Sequence, residues 1–213
     1  GCVDSHFANA NGIHDYNHYT SAYDLSLIGS AFFQNDALAR IGNTPKYHFT
    51  PSDGQPDDFY LKNKHKLITG EIPCDGILGG KTGYTSQAGE TLVTCAKRGG
   101  LRLICVVMKE DSPAQFNDTV TLFDYGFSNF TKVNITDKDS EYNTNEIFSQ
   151  SGADLFGSSL PLVSVSTDSY VILPNSADFS DTVSKIEYLP AGSNEKVTAK
   201  INYTYNGTFI GSA

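Results

Sequence analysis

The chain has no apolar run long enough to cross a bilayer, and no stretch of it reads as a signal peptide. It is also short of positive charge. Lys and Arg number 15 against 24 Asp and Glu, a formal net charge of −9. Residues 1–132 hold 11 basic against 14 acidic side chains, and residues 133–213 hold 4 against 10. So acidic a tail argues against nucleic acid as a partner and against electrostatic attachment to an anionic membrane. The four cysteines, at 2, 74, 95 and 105, show no Cys-x-x-Cys spacing, so no zinc knuckle is expected. No internal repeat is apparent, and nothing in the sequence implies a cofactor. What remains is a chain of 213 residues, enough for one or two domains with a real core.

The rest of the chain is organised around Gly79-Gly80-Lys81-Thr82-Gly83-Tyr84-Thr85. Two apolar-rich runs follow, Glu90 to Lys97 and Leu101 to Lys109, and they meet at Gly99-Gly100, a tight hairpin turn. With that turn Cys95 falls opposite Ile104 and Cys105 opposite Thr94. The hairpin cysteines are thus out of register, and free, buried thiols are expected. Each residue of Lys-Thr-Gly-Tyr suits the binding of an anion beside a strand. The Lys81 ammonium attracts a carboxylate and the Thr82 hydroxyl can bond it. Gly83 leaves room for a ligand to lie against the strand, and the Tyr84 N–H is placed to stabilise a developing oxyanion. A tripeptide alone is a weak signal, and the bland reading is a lysine on a strand beside a turn.

Residues 2–19 read as loop. Ser21-x-x-Asp24 looks like a capping pair opening a helix whose apolar face carries Leu25, Ile28 and Phe32, with a short second helix after Asn35-Asp36 and an end by Gly42-Asn43-Thr44-Pro45. Residues 46–76, punctuated by Pro51, Pro56 and Pro73, read as a long irregular excursion with one short strand near Tyr47 to Thr50. Ser112-Pro113 starts a helix, and Phe116, Val120, Phe123, Phe127 and Phe130 recur along it as a core stripe. Composition shifts after Lys132. Segment 133–160 reads as a linker. Beyond it lie short alternating runs at Leu162 to Val165, Tyr170 to Leu173 and Lys185 to Leu189. Val197, Ala199, Ile201, Tyr203 and Tyr205 share one face of a strand that reaches the hairpin signal Asn206-Gly207. An α+β domain over 1–132 and a small all-β sandwich over 133–213 are expected.

Phe7-Ala8-Asn9-Ala10-Asn11-Gly12-Ile13-His14-Asp15, then His18 to Asp24, and above all Asp75-Gly76-Ile77-Leu78-Gly79-Gly80-Lys81-Thr82-Gly83-Tyr84-Thr85, resemble the serine-type D-Ala-D-Ala carboxypeptidases, the low-molecular-mass penicillin-binding proteins. Phe123-Asp124-Tyr125-Gly126-Phe127 resembles the closing helix of their catalytic domain. The resemblance implies part of a β-lactamase/transpeptidase-like domain followed by a C-terminal β-sandwich. It implies acyl transfer from a peptidoglycan stem peptide ending in D-Ala-D-Ala, reactivity with β-lactams, and a place outside the bacterial cytoplasmic membrane or in the wall. Lys81 and Thr82 would bind the terminal carboxylate, and Tyr84 N–H would form half the oxyanion hole.

Two departures stand out. The family's Ser-x-x-Lys and Ser-x-Asn do not precede Lys81, and the only Ser-x-x-Lys is Ser193 to Lys196, read as accidental. A nucleophile-bearing N-terminal segment of the same protein is therefore expected, its strands pairing beside Leu101 to Lys109. The family often has an Arg near the start of the closing helix, where this chain has Ala114-Gln115-Phe116-Asn117. No membrane-anchor helix lies in these residues. His14 and His18 at i, i+4 could suggest zinc, but no Glu stands between them and the segment reads as loop. The basic run Lys62, Lys64, His65, Lys66 reads as a solvated loop, and the five Asn-x-Ser/Thr sequons as products of composition. The alternatives are a non-catalytic wall-associated module of the same fold and a class A β-lactamase.

Overall fold

The structure, a computed structural model, describes residues 1–139, 165–189 and 199–213. Contacts divide the chain into two units, residues 1–128 and 129–213.

In the first unit, helix α1 (Ala22–Gln34) starts as the spacing predicts, with Ser21 Oγ accepting the Asp24 N–H at 3.1 Å. The Asp24 carboxylate does something else. It is buried, and its Oδ2 accepts from Asp4 N–H at 2.8 Å and from the Ser5 hydroxyl at 2.6 Å, tying the N-terminal loop to α1. The Ser5 hydroxyl holds this carboxyl below the usual carboxylate range. Asn35 caps the next helix, α2 (Asp36–Gly42), its side chain accepting from Ala37 and Leu38 N–H.

The excursion after α2 is more ordered than its prolines suggest. Strands β1 (Lys46–Phe49) and β2 (Phe59–Lys62) pair antiparallel, from Lys46↔Lys62 to Phe49↔Phe59. Rings stack across the pair, His48 on Tyr60 at 4.1 Å and Phe49 on Phe59 at 4.9 Å, which offsets the pair's poor burial.

The centre of the unit is a three-stranded antiparallel sheet in the order β3 (Ile77–Thr85), β4 (Gly89–Arg98), β5 (Leu101–Glu110). Gly99 and Gly100 join β4 to β5 with φ of 53° and 88°, the doubly left-handed geometry of a two-residue hairpin. The register is the one the turn dictates, with Thr94↔Cys105 and Cys95↔Ile104. All four thiols are free. Cys95 and Cys105 are buried, and burial pushes each up to about 11. Cys2 is exposed and Cys74 half-buried, so the expectation of uniformly buried thiols fails for the two that lie outside the sheet.

Helix α3 (Ala114–Asn129) lays its stripe on the sheet: Phe116 and Phe123 are buried with Leu92, Ala96, Cys105 and Val107, while Val120 and Phe127 pack at the margin. Phe130, expected on the helix, instead opens strand β6. Among the described residues β3 and β5 are both outer strands of their sheet.

The second unit is, among the described residues, one antiparallel sheet. Its strands are β6 (Phe130–Asn134), β7 (Tyr170–Pro174), β8 (Val183–Tyr188), β9 (Ala199–Tyr205) and β10 (Thr208–Ser212), in the spatial order β6-β7-β10-β9-β8. Period-two alternation on β9 buries Ile201 and Tyr203 with Ile135, Val171 and Leu173. The Tyr203 hydroxyl donates to Asp139 Oδ2 at 2.5 Å, which satisfies its polar tip inside the core. Asn206 and Gly207, at φ 49° and 77°, make the expected turn into β10. Leu162, the linker residues from 140, Ser193 to Lys196 and Val197 lie outside the described residues.

Candidate functional site

Strand β3 is fixed at its start by Arg98. The guanidinium bonds Asp124 Oδ1 on α3 at 2.7 Å and the Asp75 carbonyl at 3.0 Å, and lies over the Phe127 ring at 4.7 Å. The strand then runs beside β4 with Lys81↔Val93, Thr82↔Leu92, Gly83↔Thr91 and Tyr84↔Glu90. All four of Lys81, Thr82, Gly83 and Tyr84 line one groove of about 960 Å³. Lys81 is exposed, and its ammonium donates to the carbonyl oxygen of Thr82. Tyr84 is 68 % exposed. Since β3 pairs on one side only, its alternate backbone groups face the groove side unpaired by any described strand.

Two glycines of the motif answer to neighbouring side chains. A Cβ on Gly83 would stand 2.6 Å from Thr91 Oγ1, the hydroxyl that donates to the Gly83 carbonyl at 3.0 Å. The expected reason for Gly83, room for a ligand, is thus joined by a nearer one, room for Thr91. A Cβ on Gly80 would meet His65 Nε2 at 2.5 Å and the Val93 carbonyl at 2.6 Å.

His65 is the residue that sequence reading left as loop. It is fully buried behind Gly80, its Nε2 is 2.8 Å from Thr94 Oγ1, and its Nδ1 has no partner among the described residues. Burial pushes its imidazole down to about 4, so at neutral pH it is an uncharged ring packed against β3 and Phe116. The alternation around it carries a consequence: with His65 turned inward, Lys64 and Lys66 on either side line the groove, while Lys62 pairs with Glu71. The basic run is therefore not a uniformly solvated loop. No spacing rule would have found this, since His65 and Gly80 are brought together only by the fold.

From α3 comes Gln115, 2 % exposed and lining the groove, its Oε1 without a partner among the described residues. From α1 come Leu25, Ile28 and Phe32, the face that the helical period marks as apolar. The buried residues of this helix are Asp24, Gly29 and Phe33; Gly29 and Phe33 also line the groove, Gly29 close against Val93 and Ile104. The expected apolar face thus forms part of the groove's wall. His14 and His18 do not act together: His14 packs edge-on to Tyr16, and His18 Nδ1 accepts the Ala8 N–H at 3.2 Å. Among the described residues no three metal-ligating side chains converge.

The sequence profile of the D-alanyl-D-alanine carboxypeptidases matches residues 1–112. A D-alanyl-D-alanine carboxypeptidase of Bacillus subtilis is 30% identical over 131 residues, 61% of this chain and 32% of the relative. One of Mycobacterium tuberculosis is 36% identical over 113 residues, 51% of this chain and 37% of the relative. The chain thus spans about a third of the length of these curated relatives. Among solved structures, the D-alanyl-D-alanine carboxypeptidase from Mycobacterium tuberculosis H37Rv is similar at 31% identity and a TM-score of 0.52, over 60% of this chain and 48% of the other. Penicillin binding protein 5 from Haemophilus influenzae covers 100% of this chain and 60% of its own at a TM-score of 0.64; at 21% identity this is a likeness of fold.

Proposed function

The chain belongs to the D-alanyl-D-alanine carboxypeptidase family, and from that premise we propose that its first unit forms the anion-binding wall of a serine carboxypeptidase acting on peptidoglycan stem peptides that end in D-Ala-D-Ala. The supporting observation is the placement of Lys81, Thr82 and Tyr84 on an outer strand along a groove. The stem peptide adds to β3 as an extended strand, its backbone meeting the unpaired groups of the strand. Lys81 and Thr82 take the terminal carboxylate, Lys81 by exchanging its bond to the Thr82 carbonyl for the anion. The serine Oγ attacks the carbonyl carbon of the penultimate D-Ala, and the Tyr84 N–H supports the oxyanion. Collapse expels D-alanine with its amine protonated, and water releases the acyl group from the serine. The described groove holds Ser112, but Gln115 rather than Lys stands three places on, so that serine does not meet the family's Ser-x-x-Lys pattern. The attacking serine is therefore proposed to come from another segment of the whole protein, placed outside the cytoplasmic membrane or in the wall. β-Lactams, which mimic the acyl-D-Ala-D-Ala group, are the expected inhibitors.

Labelling of the native whole protein by a fluorescent penicillin tests this reading. Covalent labelling is expected, with Lys81→Ala slowing acylation roughly 100-fold, the scale of losing a preorganised electrostatic contact. A native protein that stays unlabelled sinks it in favour of a binding module without nucleophile.

A further inference from the structure

The groove carries more positive charge than one carboxylate needs. Lys64, Lys66 and Lys81 all line it, in a protein whose formal net charge is −9. Its one lining carboxylate among the described residues, Glu90, stands opposite Tyr84, three residues along β3 from Lys81, or about 10 Å. Lys66 is half-buried and makes no salt bridge among the described residues; its ammonium lies 5.8 Å from the centre of the Phe116 ring. Glu71 feels the Lys66 charge but is already paired with Lys62, so this partly desolvated ammonium has no ion pair of its own, which is unfavourable. Next to Phe116 in the first turn of α3 is Gln115, buried to 98 % with an unpartnered carbonyl oxygen. That first turn of a 16-residue helix itself contains no acidic residue. A cation outside any salt bridge and a buried amide oxygen with no hydrogen-bond partner, both among the described residues, thus occur on two elements that line the same groove.

We propose that Lys66 and Gln115 form a second polar subsite, which takes a carboxylate on a side chain of the bound peptide while Lys81 and Thr82 hold its terminal carboxylate. The groove then selects dianionic peptides over monoanionic ones. Gln115 suits the task because its amide can donate to the carboxylate and accept from the Lys66 ammonium at the same time. This rests on the carboxypeptidase reading for the nature of the ligand.

The test compares two peptides that differ only in that side chain, N-acetyl-Glu-D-Ala-D-Ala and N-acetyl-Gln-D-Ala-D-Ala, titrated into the 213-residue protein and followed by the amide resonances of Gly80 to Tyr84 and of Lys66. The glutamyl peptide is expected to bind about tenfold more tightly, the scale of one charge-assisted hydrogen bond. Lys66→Met should bring the ratio near one while leaving the glutaminyl peptide's affinity within twofold, and Gln115→Leu should narrow it. The two variants sit on separate elements, so misfolding of either leaves the other as a measure. Equal binding of both peptides by the wild-type protein, or a loss in Lys66→Met that is the same for both, overturns the subsite while leaving the carboxypeptidase reading standing. If neither peptide shifts Gly80 to Tyr84, that reading falls and the subsite with it.

Discussion

An imidazole buried without a charge partner makes folding sensitive to acid. The His65 ring titrates near 4 in the folded protein against an ordinary 6.5. As pH falls below 6.5 the unfolded chain takes up the proton first, so stability is full above that value and declines until about pH 4. The shift corresponds to on the order of 3 kcal/mol. His65→Gln should remove this slope, as urea unfolding at pH 7, 5.5 and 4 would show; parallel pH dependence in both proteins would contradict it. The glycine in front of the ring is equally constrained. Gly80→Ala drives a methyl into His65 and the Val93 carbonyl and should cost about 1–3 kcal/mol, read as a fall in the urea midpoint. At this scale Lys81 to Tyr84 were legible because the motif is contiguous. His65 and Gln115 were not, because their significance depends on residues 15 and more than 30 positions away in sequence, Gly80 and Lys81.

Periodicity identifies a helix better than it says what covers each face. On α3 the two agree: Phe116 and Phe123 fill the core. Phe123→Ala should therefore cost roughly 3–5 kcal/mol, measured by thermal or urea unfolding. On α1 they part, because Leu25, Ile28 and Phe32 line the groove without being buried, while Gly29 and Phe33, which line it too, are buried close to the sheet. Ile28→Ala, 38 % exposed in the wild type, should lower stability by less than about 1 kcal/mol, and a loss as large as that of Phe123→Ala would contradict this placement. The β4–β5 and β9–β10 hairpins were readable from Gly99-Gly100 and Asn206-Gly207, where the turn chemistry is local. Of the β1–β2 pair only β1 was readable, as the short strand near Tyr47 to Thr50. Prolines around Ser52 to Pro56 hid its partner, whereas the ring stacks that stabilise the pair reach across ten and twelve residues.

At the scale of the molecule, the alternation of the tail announced a β-rich second unit, but which strands neighbour one another in β6-β7-β10-β9-β8 is not written in any local pattern. The first unit's sheet ends on both sides without a partner among the described residues, on β3 beside the groove and on β5 along Leu101 to Glu110. Ladder groups that bond nothing but water are templates for another strand. Concentrated solutions of the 213-residue protein should accordingly show concentration-dependent self-association by light scattering, weakened by Val106→Pro, which removes a donor from β5; association unaffected by that change would assign it to another surface. A strand that covered β5 would thus also act as a guard, for a rim that accepts one neighbour will bind a stray copy by the same rules, and storage with that rim bare would proceed at the risk of fibrous or amorphous deposits.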